Sequence, residues 1–149
     1  MTDAERGQIE GYSLLLYDGV CALCNGLVCF LLKRDREGNL RFTPLERSLG
    51  REVLDRFQLH EVPDGVVLVT AALTSSERLY QRSEAVGAAL QLLGNPWKTL
   101  GRALMVLPRS LREFCYGMVA RFRYRIFGRY DRCPLPTAEQ RERILGVNE

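Results

Sequence analysis

Residues 14–34 read LLLYDGVCALCNGLVCFLLKR. The run from Tyr12 to Tyr17 is apolar and closes at Asp18-Gly19, too short for a helix and therefore a buried strand. From Leu23 the period changes. Leu23, Leu27, Phe30 and Leu31 recur at i, i+4, i+7 and i+8, which is one face of a helix. Lys33, Arg34 and Arg36 follow at its far end, where cations suit the helix dipole, and Gly38-Asn39 ends it. The stretch thus encodes strand, tight turn, helix, and a Cys-x-x-Cys pair, Cys21 and Cys24, falls where the helix opens.

Working outward, Leu40–Phe42 forms a short second strand. Thr43-Pro44-Leu45-Glu46 has the make-up of a helix N-terminus, with a capping threonine, a proline at the first position and a glutamate set for a capping box, so a helix is expected from there to about Phe57. Val66–Val69 is β-branched and uninterrupted, and Leu79-Tyr80 returns as its hairpin partner. Ser83 is placed to cap a helix through Leu93, which Gly94-Asn95-Pro96 stops. The order is βαβαββα. Beyond Pro96 the chain is helical and basic: Trp97 to about Leu107, a break at Pro108, Arg109 to about Phe127, and a last helix opening at Thr137. The expectation is one domain, an α/β core over about residues 12–95 with a helical C-terminal extension over about 96–145.

With 149 residues, 46% of them hydrophobic and 26% charged, the chain can bury a core without covalent staples. Its first six residues are acidic on balance. Its longest uninterrupted apolar stretch, Leu27–Leu32, is far too short for a signal core or a membrane span, so a cytoplasmic protein is expected. Thiols in that compartment are held reduced, and the cysteines number five, an odd count: Cys21, Cys24, Cys29, Cys115 and Cys133. A structural disulfide framework is not expected.

Three readings of the Cys21–Cys24 pair are open on spacing alone. In the redox reading, positions i and i+3 share a helix face, so two thiols in a first turn can join and part again. Cys21 at the helix opening faces unpaired backbone N–H groups and the positive end of the dipole, which favour thiolate, and so is the nucleophile. Cys24 then resolves the mixed disulfide. Asp18 opposes thiolate formation while ionised, yet can accept a proton from Cys24 during resolution; as a turn residue ahead of Gly19 it also has a plain structural role. In the metal reading the pair is half of a tetrahedral site, but His60, Cys115 and Cys133 are scattered singly and supply no second pair. In the third reading the cysteines are small buried hydrophobes, a description that fits Cys29 and Cys115 best.

The segment Tyr17-Asp18-Gly19-Val20-Cys21-Ala22-Leu23-Cys24-Asn25 strongly resembles the defining Asp-x-x-Cys-x-x-Cys motif of the DCC family of thiol-disulfide oxidoreductases. The likeness continues through Arg41–Leu45, Tyr80–Ala85, Asn95-Pro96-Trp97 and Arg123–Gly128 followed by Cys133, so it covers about residues 12–145. It implies a thioredoxin-like fold and protein-disulfide oxidoreductase activity, and the expectation taken with it is exchange with protein or small-molecule thiols and disulfides, with no prosthetic group and no metal. A thioredoxin-like site also wants a cis-proline facing the cysteines. Pro63 is the candidate by position, but Asp64-Gly65 separate it from the strand, and it is left outside the site, trans being the default for any X-Pro bond. Ala22-Leu23 between the cysteines and Val20 before them depart from thioredoxin's glycine-proline and tryptophan, which leaves the redox potential open.

The charge is uneven. Residues 1–95 carry 10 basic and 13 acidic side chains, and residues 96–149 carry 11 and 5. Arg121-Phe122-Arg123-Tyr124-Arg125 would form a stacking, phosphate-binding face on a strand. On a helix these residues scatter, with Phe114, Met118 and Phe122 toward the core and Arg121 and Arg125 in solvent. Nucleic acid is therefore not expected as a partner, and weak contact of the basic helices with an anionic membrane surface ranks above it. Cys133, in the cationic Arg129–Pro134 segment, is either a third redox thiol or a loop anchor. The rival to the enzyme is a binding module whose cysteine pair is structural or metal-holding and whose basic helices meet a partner.

Overall fold

The computed structural model describes residues 3–18, 22–35, 38–45, 47–59, 66–94, 96–126 and 144–145. In chain order its elements are α1 (Asp3–Ile9), β1 (Ser13–Tyr17), α2 (Ala22–Arg34), β2 (Leu40–Pro44), α3 (Ser48–Arg56), β3 (Val67–Thr70), β4 (Arg78–Gln81), α4 (Arg82–Gln91), α5 (Trp97–Val106) and α6 (Arg109–Ile126). From β1 to α4 this is the βαβαββα order of the thioredoxin-like expectation, with one helix ahead of it and two behind.

The strands form one mixed sheet in the order β2-β1-β3-β4. β1 runs parallel to β2, with Ser13 opposite Leu40 and Tyr17 opposite Pro44. It runs antiparallel to β3, with Leu14 opposite Val69 and Leu16 opposite Val67, and β4 closes the far edge antiparallel to β3. A parallel neighbour on one side demands the crossover that α2 provides, while the β3–β4 pair needs only a hairpin.

All five residues of β1 are buried, because helices cover both faces of the sheet. Leu15 and Tyr17 face a core shared with Val28 and Leu31 of α2 and Ala85 and Ala89 of α4. Leu14 and Leu16 face the opposite core, with Leu49 and Val53 of α3 and with Ile9. α1 has no counterpart in the sequence reading, since Ile9 is the one apolar anchor in a polar segment. That side chain is nonetheless fully buried, and the Gly11 N–H and Ala72 carbonyl then tie the chain to the end of β3.

Three local expectations are corrected. Thr43-Pro44 does not open a helix: both belong to β2, and α3 starts at Ser48 after an extended Arg47. A residue before proline avoids the helical region, and here Pro44 extends the ladder opposite Tyr17 while the Leu45 N–H donates to the Tyr17 carbonyl at 2.7 Å. Ser83 does not cap α4, because Gln81 holds the cap position and the Ser83 hydroxyl is committed elsewhere. The extension is not helical to its end. Ile144 forms an isolated parallel bridge with Phe42, and the Leu145 N–H donates to the Phe42 carbonyl at 2.7 Å, so backbone covers the outer edge of β2. The helix expected from Thr137 lies outside the described residues.

Close backbone approach explains two glycines. An added Cβ on Gly101 would stand 2.7 Å from the Gly87 carbonyl oxygen, which is how tightly α5 meets α4. One on Gly50 would stand 2.5 Å from the Pro44 carbonyl oxygen, so α3 folds directly back over the end of β2.

Candidate active site

The chain leaves the middle of the sheet at Tyr17, passes a half-buried Asp18, and is helical again from Ala22. Gly19, Val20 and Cys21 lie outside the described residues, and Cys21 directly precedes the first helical residue in sequence. Cys24 is the third residue of α2 and therefore belongs to its first turn, the turn whose backbone N–H groups have no intrahelical acceptor. No acidic residue occupies that turn, while Lys33 and Arg34 occupy the last. The first arrangement leaves the positive end of the helix dipole uncompensated by carboxylates of α2 itself, and the second complements its negative end.

The helix that carries Cys24 is firmly seated. Val28, Leu31 and Leu32 are buried against the sheet. At its far end the Arg34 guanidinium lies 4.0 Å from the Phe30 ring centroid and 5.2 Å from that of Trp97, and the two rings meet edge to face at 4.9 Å. The buried Asp35 carboxylate accepts the N–H groups of Asn39, at 3.1 Å, and Leu40, at 2.8 Å, which fixes the turn into β2.

Strand polarity brings a second polar group to the same end of the sheet. Because β3 is antiparallel to β1 and β4 to β3, Val66 and Gln81 stand at the end where β1 delivers Asp18. The Val66 N–H donates to the Tyr116 hydroxyl of α6 at 3.1 Å. Arg82 follows β4 without a loop and turns the chain through the left-handed region, at φ 57°. Its Nε donates to Glu113 at 2.9 Å, and its guanidinium lies 4.9 Å from the Tyr116 ring centroid, so α6 braces the strained residue. Ser83 donates to the other Glu113 oxygen and accepts from Arg112 Nε at 3.1 Å. Arg112 is buried and also donates to the Met105 carbonyl at 3.2 Å. The Ser83 hydrogen bond and the Arg82 and Arg112 charges hold the Glu113 carboxyl below the usual glutamate range, against a smaller opposing effect of burial.

Of the residues expected to carry chemistry, Asp18 follows the end of β1 and the backbone of Cys24 lies in the first turn of α2. Cys21 falls in the undescribed part of that junction, and Cys133, Pro63 and His60 also lie outside the described residues. Cys29 is half-buried within α2, but Cys115 is exposed on α6, which corrects its reading as a buried hydrophobe. Arg82, Ser83, Arg112, Glu113 and Tyr116 were not anticipated. They lie about 30 residues apart in sequence, and no spacing rule connects them.

Comparison with known proteins adds the deciding observation. The sequence model of the DCC1-like thiol-disulfide oxidoreductase family matches residues 15–129, from β1 to beyond the end of α6. The chain belongs to this family. Among relatives of this DCC1-like protein, the uncharacterized protein YuxK of Bacillus subtilis (strain 168) is 33% identical over 139 residues, 89% of this chain and 93% of the relative. A chloroplastic DCC family protein of Arabidopsis thaliana is 38% identical over 122 residues, 82% of this chain and 69% of the relative. No solved structure matches the chain.

Proposed function

We propose that the protein is a thiol-disulfide oxidoreductase of protein or small-molecule substrates that works through Cys21 and Cys24. The observation that carries the proposal is the position of Cys24 in the first turn of α2, the helix that follows the central strand in sequence. The N–H groups of a helix's first turn have no intrahelical acceptor and stabilise a nearby thiolate. In the reducing direction, the Cys21 thiolate attacks one sulfur of a substrate disulfide, forming the mixed disulfide and expelling a substrate thiolate, which takes up a proton. Cys24, its proton passed to Asp18 or to water, attacks the Cys21 sulfur and expels the second substrate thiolate. Two electrons and two protons have then moved from the enzyme dithiol to the substrate, and an external dithiol returns the Cys21–Cys24 disulfide to its starting state. A reducing, cytoplasmic setting would supply that dithiol. The core over about residues 12–95 contains the whole reactive element, and the extension supports it through α6.

Trapping tests the order of events. In Cys24→Ser the mixed disulfide has no resolving thiol, so mass spectrometry after incubation with glutathione disulfide is expected to show one adduct per chain, at Cys21. An adduct at Cys29 or Cys115 instead would overturn the assignment.

A further inference from the structure

α6 packs on the protein by its polar side. Arg112, Glu113 and Tyr116 turn inward to α4 and β3, while Leu111, Phe114, Met118 and Val119 are exposed, Phe114 at 64%. At 100° per residue, Leu111, Phe114 and Met118 fall at i, i+3 and i+7, on the side of the helix opposite Tyr116, and the exposed Leu107 lies just ahead of the helix. Val106, 83% exposed at the end of α5, shares a side of that helix with the exposed cations Lys98 and Arg102, at intervals of four. Isolated apolar side chains on a surface are ordinary, but exposed ones gathered on one side of α6 and at the end of the preceding helix call for a covering phase.

Charge identifies that phase. Residues 96–126 contain seven lysines and arginines and one acidic residue, Glu113. Glu113 is turned inward and neutralised by Arg82, so the exposed surface of α5 offers Lys98 and Arg102 with no described carboxylate beside them on that helix. A second copy of the same face would set cations against cations within a Debye length. An anionic bilayer instead receives the apolar stripe at the depth of its acyl boundary and the cations at its phosphates. No helix among the described residues is long and apolar enough to cross a membrane, so the contact is interfacial.

We propose that the α5–α6 face docks the protein on an anionic lipid surface. This goes beyond the dithiol reading and stands or falls independently of it. The test is cosedimentation of the full chain with phosphatidylglycerol–phosphatidylcholine vesicles and with pure phosphatidylcholine vesicles, together with Cys21→Ser, Phe114→Ser/Met118→Ser and Lys98→Glu/Arg102→Glu. Binding is expected on the anionic vesicles, weaker by about tenfold or more on neutral ones and in either double variant, and unchanged in Cys21→Ser. Circular dichroism checks that the variants fold, and the charge variant keeps the test decisive if the stripe variant does not. Absence of binding to anionic vesicles, equal binding to both vesicle types, or undiminished binding of the folded variants would overturn the proposal. So would a dimer in sedimentation equilibrium without lipid that the stripe variant abolishes, because the face would then be a self-association surface.

Discussion

α2 and α6 are both amphipathic, and they are mounted in opposite senses. α2 presses Val28, Leu31 and Leu32 into the sheet and keeps Gly26 and Lys33 outward, while α6 presses Arg112, Glu113 and Tyr116 inward and keeps Phe114 and Met118 outward. Periodicity reports that a helix has two faces but not which face meets the protein. The direction follows from what is already there. The α2 site is an apolar sheet face, whereas α6 meets the polar start of α4, where a strained Arg82, the Ser83 hydroxyl and the Val66 N–H all require partners.

This contrast can be broken by mutation. Leu31→Ala removes a fully buried side chain from α2 and is expected to destabilise the protein by about 3 kcal/mol in urea unfolding. Arg112→Met, on the inner side of α6, leaves Glu113 and Glu84 without a cation they now face and is expected to lower stability by about 2 kcal/mol. Gly101→Ala forces the α4–α5 contact apart by its clash with the Gly87 carbonyl and should lose about 1–2 kcal/mol. Phe114→Ser, on the outer side of α6, should change stability by no more than about 0.5 kcal/mol despite removing an aromatic ring. If Phe114→Ser cost as much as Leu31→Ala, the two helices would be mounted alike.

Acid sharpens the same comparison. Glu113 has its folded-state pKa lowered below the ordinary 4.5, so its contribution to stability is complete above about pH 4.5 and is lost as pH falls through the lowered folded value. Glu113→Gln should therefore lose less stability between neutral and acidic pH than the unmodified chain, as read by thermal unfolding at a series of pH values.

Much of the fold was legible in the residues. The central strand, the α2 period and the stops at Gly38 and Gly94 announced the βαβαββα order because each rests on local patterning. Thr43-Pro44 misled because a capping pattern and a strand end share the same residues, and parallel pairing with β1 decided between them. Ser83 misled in the same way, its hydroxyl taken by partners on a helix 30 residues away. α1 escaped notice because one buried isoleucine makes no period. The start of α2 at Ala22, with Cys24 in its first turn, was legible from the change of period alone, but the brace that α6 lays across the same end of the sheet depends on long-range contacts invisible to spacing.

The central claim is that disulfide exchange begins at Cys21, and the reduction of insulin disulfides by the full chain with dithiothreitol as electron donor tests it most directly. The account predicts turnover above the uncatalysed rate that falls to background in Cys21→Ser while the variant keeps its folded circular-dichroism spectrum. Undiminished turnover in a folded Cys21→Ser protein would contradict it.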